Sequence, residues 1–286
     1  MKSTPSSAIK KRVLLLCAIS VALSVLATVG RLVSLTSFYD KIGYYRADAL
    51  LPKLSELLYA LALVFFAVSA CLLLPKLKMT PNLEKHERIA ALVPAAAILT
   101  HILLDASKLF ESAGILETLD MIFSLFALTF FVSLAFCAQP SALTAVSGIG
   151  SVLWIAIVWI GSYLDLNVPM NSPDKLFFHF ACVGCMVFVF AELRTEYDMP
   201  RPRLYLFSML AAILSIFTCS IPNIIASFND TFAVYTLLQY DVIFLTIALY
   251  ALVRLVSFCI GYKEYEEETP VDDEENDIPD DQNEIT

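Results

Sequence analysis

The sequence predicts an all-α fold: a polytopic bundle of about eight transmembrane helices with no soluble catalytic domain. Three observations predict it. Hydrophobic residues make up 58% of the 286-residue chain and charged residues 16%, with a mean hydropathy of +0.73. An ordinary soluble domain is about 45–50% apolar and about a quarter charged. The excess arrives in blocks of about 20 residues, the length a helix needs to cross a hydrocarbon core about 30 Å thick. Backbone amides cannot go unpaired in lipid, so each block pairs its own backbone as a helix. The charge is also segregated: residues 263–286 hold twelve of the 28 acidic residues and one of the 19 basic ones. The net charge of -9 therefore belongs to a tail, and the body is slightly basic.

The expected spans, in order, are 13–30, 54–74, 89–105, 119–137, 143–160, 176–193, 204–225 and 233–257. The first follows the basic start Lys10, Lys11, Arg12 and precedes Arg31. Its apolar run exceeds the roughly 7–15 residues of a secretory leader, so it is read as a span. The second follows a Pro-containing loop. The third is the least apolar, since it holds Pro94, His101 and Asp105; proline near the start of a membrane helix is tolerated. The fourth has Asp120 near its entry, and the fifth is uniformly apolar. The sixth contains FHFACVGC, residues 178–185. The seventh ends with Pro222 and Asn223, and the eighth carries Gln239 and Asp241 in its first third.

Orientation follows from Lys and Arg in short loops. Lys2, Lys10, Lys11 and Arg12 precede the first span, Lys76, Lys78, Lys85 and Arg88 fall in the second loop, and Arg194, Arg201 and Arg203 lie in or beside the sixth. With eight spans these lie on one side. The opposite loops are poorer, apart from the first, with Arg31, Lys41, Arg46 and Lys53. The balance predicts a multi-pass cell-membrane protein with both termini cytoplasmic. The tail, 263–286, is like-charged and too polar to bury a core, so it is expected to be a disordered cytosolic segment. No basic patch interleaves with aromatics, which argues against nucleic acid as a partner.

FHFACVGC places His179, Cys182 and Cys185 at three-residue intervals. A helix turns about 100° per residue, so neighbours in this series sit about 60° apart and the outer two about 120° apart. One helix cannot wrap a tetrahedral metal with all three. These residues, like the chain's other cysteines, are read as packing or pocket lining. A metal site on His179, Cys182 and Cys185 is the disfavoured alternative, and no cofactor is assigned.

Ionisable groups inside spans usually face the bundle interior or a cavity. Here nearly all the polar residues noted fall in the outer half, and the inner half reads as much drier. THILLDASK sets His101, Asp105 and Lys108 in one stripe, because steps of four and seven residues return to the same helix face. Tyr235, Gln239, Thr246 and Tyr250 share a second face, and Asp241 points away from it. The candidate pocket residues are His101, Asp105, His179, Asn223, Gln239 and Asp241. His101 and Asp105 would handle a proton or cation, and the amides would orient a polar ligand. The competing reading is that these groups only hold helices together.

Four features carry a family resemblance: the first span running into RLVSLTSFYDKIGYY, the second span after its Pro-containing loop, the HILLDASK stripe, and LDLNVPMNSPDKLFFHF. Together, over residues 10–260, they resemble a group of uncharacterised eight-span membrane proteins of clostridial-type Gram-positive bacteria. The resemblance implies a bacterial membrane and carries no activity. No Walker A loop, G-x-G-x-x-G or H-E-x-x-H occurs, which argues against an ATP-driven pump acting alone. The expected role is a transporter or transporter-like sensor that binds a small molecule or ion from the outer side. The alternatives are an intramembrane enzyme acting on a lipid or lipid-linked substrate, with His101 as base and Asp105 orienting it, and a scaffold whose acidic tail recruits a cytosolic protein.

Overall fold

The computed structural model describes residues 5–39, 44–46, 48–73, 77–78, 84–112, 114–137, 141–165, 169, 172–197, 201–228, 238–260 and 263–264. Eight α-helices account for nearly all of them: α1 Pro5–Phe38, α2 Leu50–Leu73, α3 Lys85–Ser112, α4 Ile115–Phe136, α5 Ala142–Leu164, α6 Pro173–Glu196, α7 Pro202–Ser227 and α8 Leu238–Ile260. Each contains an apolar stretch of 22 to 26 residues, about 33–39 Å of helix at about 1.5 Å per residue. The chain is therefore an all-α helical bundle and an integral membrane protein of eight potential spans. Two short strands, β1 Leu77–Lys78 and β2 Lys263–Glu264, pair antiparallel and join the α2–α3 connection to the start of the acidic segment. The rest of that segment, 265–286, lies outside the described residues, as does Tyr235.

The outside of the bundle is apolar, which only lipid makes favourable. On α2, Leu57, Leu61, Val64, Val68 and Leu72 are each at least 50% exposed along one side. Water would penalise such a stripe, and large exposed apolar faces mark membrane or partner contact.

Local signals set the helix starts. Ser141 caps α5 in a reciprocal capping box with Thr144, which satisfies amides a helix start leaves unpaired. At the start of α6, Ser172 accepts from the Lys175 amide, Pro173 takes the first helical position, and Asp174 meets the positive end of the helix dipole. Pro94 and Pro222 sit inside α3 and α7.

α7 is the central helix, packed on α1, α2, α6 and α8, and the most buried of the eight apolar segments. α4 and α5 approach each other closely, because α5 presents Ser147, Gly148, Gly150 and Ser151 on and around its buried side. Small residues let membrane helices close up where van der Waals packing drives association. A Cβ on Gly150 would stand 2.5 Å from the Phe126 Cβ, an atom fixed to the backbone. Gly150→Ala is thus expected to push α4 from α5 and lower stability by about 1–3 kcal/mol, read by unfolding in detergent. An unchanged midpoint would mean the contact is looser than described.

The helices depart from the expected spans chiefly at α1. Residues 31–38 are helix, where the sequence reading began a loop at Arg31. Arg31 is therefore no loop charge and leaves the count used for orientation. The physical reason is that its charge finds partners inside the bundle, so the helix has no need to end there.

Candidate functional site

The end of the bundle that carries the α1–α2, α3–α4, α5–α6 and α7–α8 connections is called distal here; the end near the chain termini is proximal. Two buried polar clusters occupy the distal half, and the first turn of α8 joins both.

The first cluster forms around His101. The i, i+4 spacing on α3 sets its Nδ1 3.2 Å from Asp105 Oδ2, and α4 brings Asp120 Oδ2 to 3.0 Å from its Nε2. From α5, Trp154 donates its indole N–H to Asp120 Oδ1 at 2.9 Å, and from α8, Gln239 donates its amide to Asp105 Oδ2 at 3.2 Å. The Tyr240 ring lies 5.2 Å from the imidazole. His101 is 2% exposed. Its Nδ1 makes no hydrogen bond of acceptable geometry despite the near carboxylate. One donor atom from each of His101, Asp105 and Asp120 falls within 4.8 Å of the others.

The second cluster is organised by Arg31, which is fully buried. Pro222 has no N–H, so the Thr218 carbonyl one turn back loses its helical donor. The Arg31 guanidinium supplies the replacement, with Nη1 2.6 Å from that carbonyl and 2.7 Å from that of Cys219. Its Nη2 donates to Asp174 Oδ1 and to Asn223 Oδ1, both at 2.9 Å. The group also stacks 4.6 Å over Phe177. Tyr39, past the end of α1, donates to the other Asp174 oxygen. Burial, with the Asp174 charge beside it, pushes the Tyr39 phenol above its ordinary range. Burial likewise pushes Tyr45 up to about 12 against the pull of Arg31. Both phenols therefore stay neutral at physiological pH, and Tyr39 is the one that donates to Asp174. Asn223 donates in turn to Asp241 Oδ2 at 3.1 Å, and the Cys219 thiol lies 3.8 Å from Asp241 Oδ1. Among the described residues no Lys, Arg or His lies within ion-pair distance of Asp241, which is 0% exposed.

The expected pocket residues thus divide. His101, Asp105 and Gln239 meet in one cluster, Asn223 and Asp241 in the other. His179 joins neither. Its ring lies 6.1 Å from Trp159 and 6.3 Å from Tyr163, and its Nε2 is buried without a hydrogen-bond partner. Cys182 and Cys185 are fully buried in the apolar core, and the trio of His179, Cys182 and Cys185 does not converge among the described residues. An open depression of about 470 Å³ lies between the end of α1 and the start of α2, lined by Phe38, Arg46, Asp48 and Leu54 among others.

The proximal half is not dry, which corrects the reading of the spans. Glu192 on α6 accepts from Arg254 Nε at 2.9 Å, from the Tyr205 hydroxyl at 2.5 Å and from the Tyr250 hydroxyl at 2.7 Å. Arg254 on α8 also donates to Glu87 on α3 at 2.5 Å and to the Tyr205 hydroxyl at 2.8 Å. Glu192 and Arg254 lay inside the expected spans, and a charge in a span is signal enough to look for a partner. Asp174 and Arg31 were missed for another reason: each fell just outside the expected ends.

No family model, curated protein or solved structure matches this chain.

Proposed function

We propose that the protein binds a small polar solute or a cation in the distal half of the bundle, as a transporter or transporter-like sensor. In this reading the distal end faces outward, both termini are cytoplasmic, and the membrane is the bacterial cell membrane. One observation carries the reading: Asp241 is a fully buried carboxylate that accepts from the Asn223 amide and faces the Cys219 thiol, and the nearest cation acting on it, Arg31, reaches it only across Asn223 and not as a direct ion pair among the described residues. Removing a carboxylate from water is expensive unless something positive meets it. A proton, a metal or alkali cation, or the cationic group of a solute supplies that charge.

Contrast with the proximal cluster supports the same reading. There, both Glu192 oxygens have donors and Arg254 is shared between two carboxylates. Glu196 Oε1, beside this cluster, is buried without a hydrogen-bond partner, so the contrast holds for Glu192 and Arg254 themselves and not for the whole proximal end. The distal clusters keep an orphaned imidazole nitrogen and a carboxylate that, among the described residues, has hydrogen-bond donors but no direct ion-pair partner.

The test is a thermal-shift screen of the full-length protein in detergent against amino acids, nucleosides, vitamins, alkali salts and metal chlorides. A ligand at about 100 times its Kd stabilises the folded state by about 2.7 kcal/mol. The expected result is a shift for one chemical class, absent in Asp241→Asn or His101→Ala. A folded wild-type protein that responds to nothing would sink the proposal.

A further inference from the structure

We infer that Cys17 and Cys259 are a redox pair that closes into a disulfide and staples the first helix of the bundle to the last. Cys17 lies within one turn of Leu14, where the apolar stretch of α1 begins, and Cys259 is the last residue but one of α8. They are 242 positions apart in the chain. No sequence pattern pairs residues so distant, and the sequence reading took both as packing. Both are buried, at the proximal end of the bundle.

The geometry carries the assignment. The two sulfur atoms lie 3.0 Å apart. Carbon atoms in favourable contact stand about 3.5–4.0 Å apart, and sulfur is the larger atom. The thiols are thus inside ordinary contact distance, with no room for another atom between them. A disulfide holds its sulfurs about 2.03–2.05 Å apart, so about 1 Å has to close. Cysteines whose side chains point apart cannot be bridged without backbone movement. These two point at each other.

The oxidant that suits so enclosed a pair is small and uncharged, namely hydrogen peroxide. One sulfur, as thiolate, attacks a peroxide oxygen. The O–O bond breaks, the leaving hydroxide takes the thiol proton and departs as water, and the sulfur becomes a sulfenic acid. The second thiol attacks that sulfur. The S–S bond forms, the S–O bond breaks, and a second water leaves with the second thiol proton. In sum the two thiols lose two electrons and one peroxide is reduced to two waters. A dithiol reductant restores both thiols by exchange and is itself oxidised to a disulfide. The bond fixes α1, which carries Arg31, against α8, which carries Asp241. Any working movement that slides these helices past each other is then open to the dithiol form and blocked in the disulfide form.

The experiment uses the full-length protein in detergent, reduced, desalted and treated with hydrogen peroxide. The exposed thiols Cys71 and Cys137 are replaced in a parallel Cys71→Ser, Cys137→Ser protein, which removes them as competitors. The expected result for wild type is a fall in alkylatable thiols, counted after unfolding, from seven to five. Intact mass is expected to drop by two hydrogens with no oxygen added, and peptide mapping to join the segments that hold Cys17 and Cys259. Dithiothreitol is expected to reverse all three changes. A cross-link over so long a loop restricts the unfolded chain, so the oxidised protein is expected to unfold at a higher temperature than the reduced one. Cys17→Ala is expected to stop at a sulfenic acid on Cys259, trapped by dimedone. Mapping is done on wild type, so the test stands even where Cys17→Ala fails to fold. A folded wild-type protein that keeps all seven thiols overturns the inference, and so does a bond mapped to any other pair. A mapped bond that leaves the unfolding temperature unchanged overturns the staple.

Discussion

Arg31→Met is expected to destabilise the folded protein by about 3–5 kcal/mol, the usual effect of removing one partner from a buried ion pair. The loss has two parts. Among the described residues Asp174 keeps only the Tyr39 hydroxyl as a side-chain donor and stays buried without its cation. The Thr218 carbonyl, already without a helical donor because of Pro222, loses its guanidinium as well. Arg31→Lys is not expected to rescue, because a single ammonium cannot reproduce a planar fork that reaches two backbone and two side-chain acceptors. Pro222→Ala restores the missing N–H. In the Arg31→Met background it is expected to recover part of the loss, so the two changes are non-additive. Unfolding of the four proteins of this cycle in detergent measures the coupling. A loss below about 1 kcal/mol for Arg31→Met would put this pair among the weak surface type and would contradict its burial.

The second large effect is expected at the proximal end. Arg254→Met leaves Glu87 and Glu192 buried together without the cation they share. The expected loss is again about 3–5 kcal/mol. The neutral arm is informative too. Tyr205→Phe removes one donor to Glu192 and one acceptor from Arg254 and is expected to lose about 1–3 kcal/mol. In the double variant Arg254→Met with Glu192→Leu, one carboxylate leaves with the cation, so part of the loss is expected to return. Replacing a buried ion pair by apolar groups is often near neutral. If the double variant is worse than the single one by the full sum, the cluster is not the coupled unit described.

These two clusters also show how unevenly the site was legible. His101 and Asp105 were readable because their partnership is local: an i, i+4 step on one helix fixes it. That Asp241 turns to a different side of α8 from Gln239 follows from the same periodicity. Asp120 could be noticed but not assigned, since nothing in the chain says that α4 sets it against His101 and not toward a loop. Arg31 read as a loop charge because hydropathy ends a span at the first cation. Asp174 read as part of a connection for the same reason. Glu192 and Arg254 were passed over although a charge in an apolar run is conspicuous, and the inner half was taken as dry in consequence.

The number and order of the eight helices and the segregation of acidic residues in the last 24 positions were determined by composition and order alone, while the ends of α1 and α3 ran past the expected spans. Lipid offers no hydrogen bonds, so any apolar block of spanning length has one backbone solution. Which polar groups meet was decided only in three dimensions. Arg31 and Asp174 are 143 residues apart, Arg254 and Glu87 are 167 apart, and every helix carries some small or polar residue that a different packing would satisfy. In a bilayer the outer faces are interchangeable apolar surface. The arrangement is therefore selected by the few charged and hydrogen-bonding atoms that must find one another, and by close approaches such as that of Gly150 to Phe126.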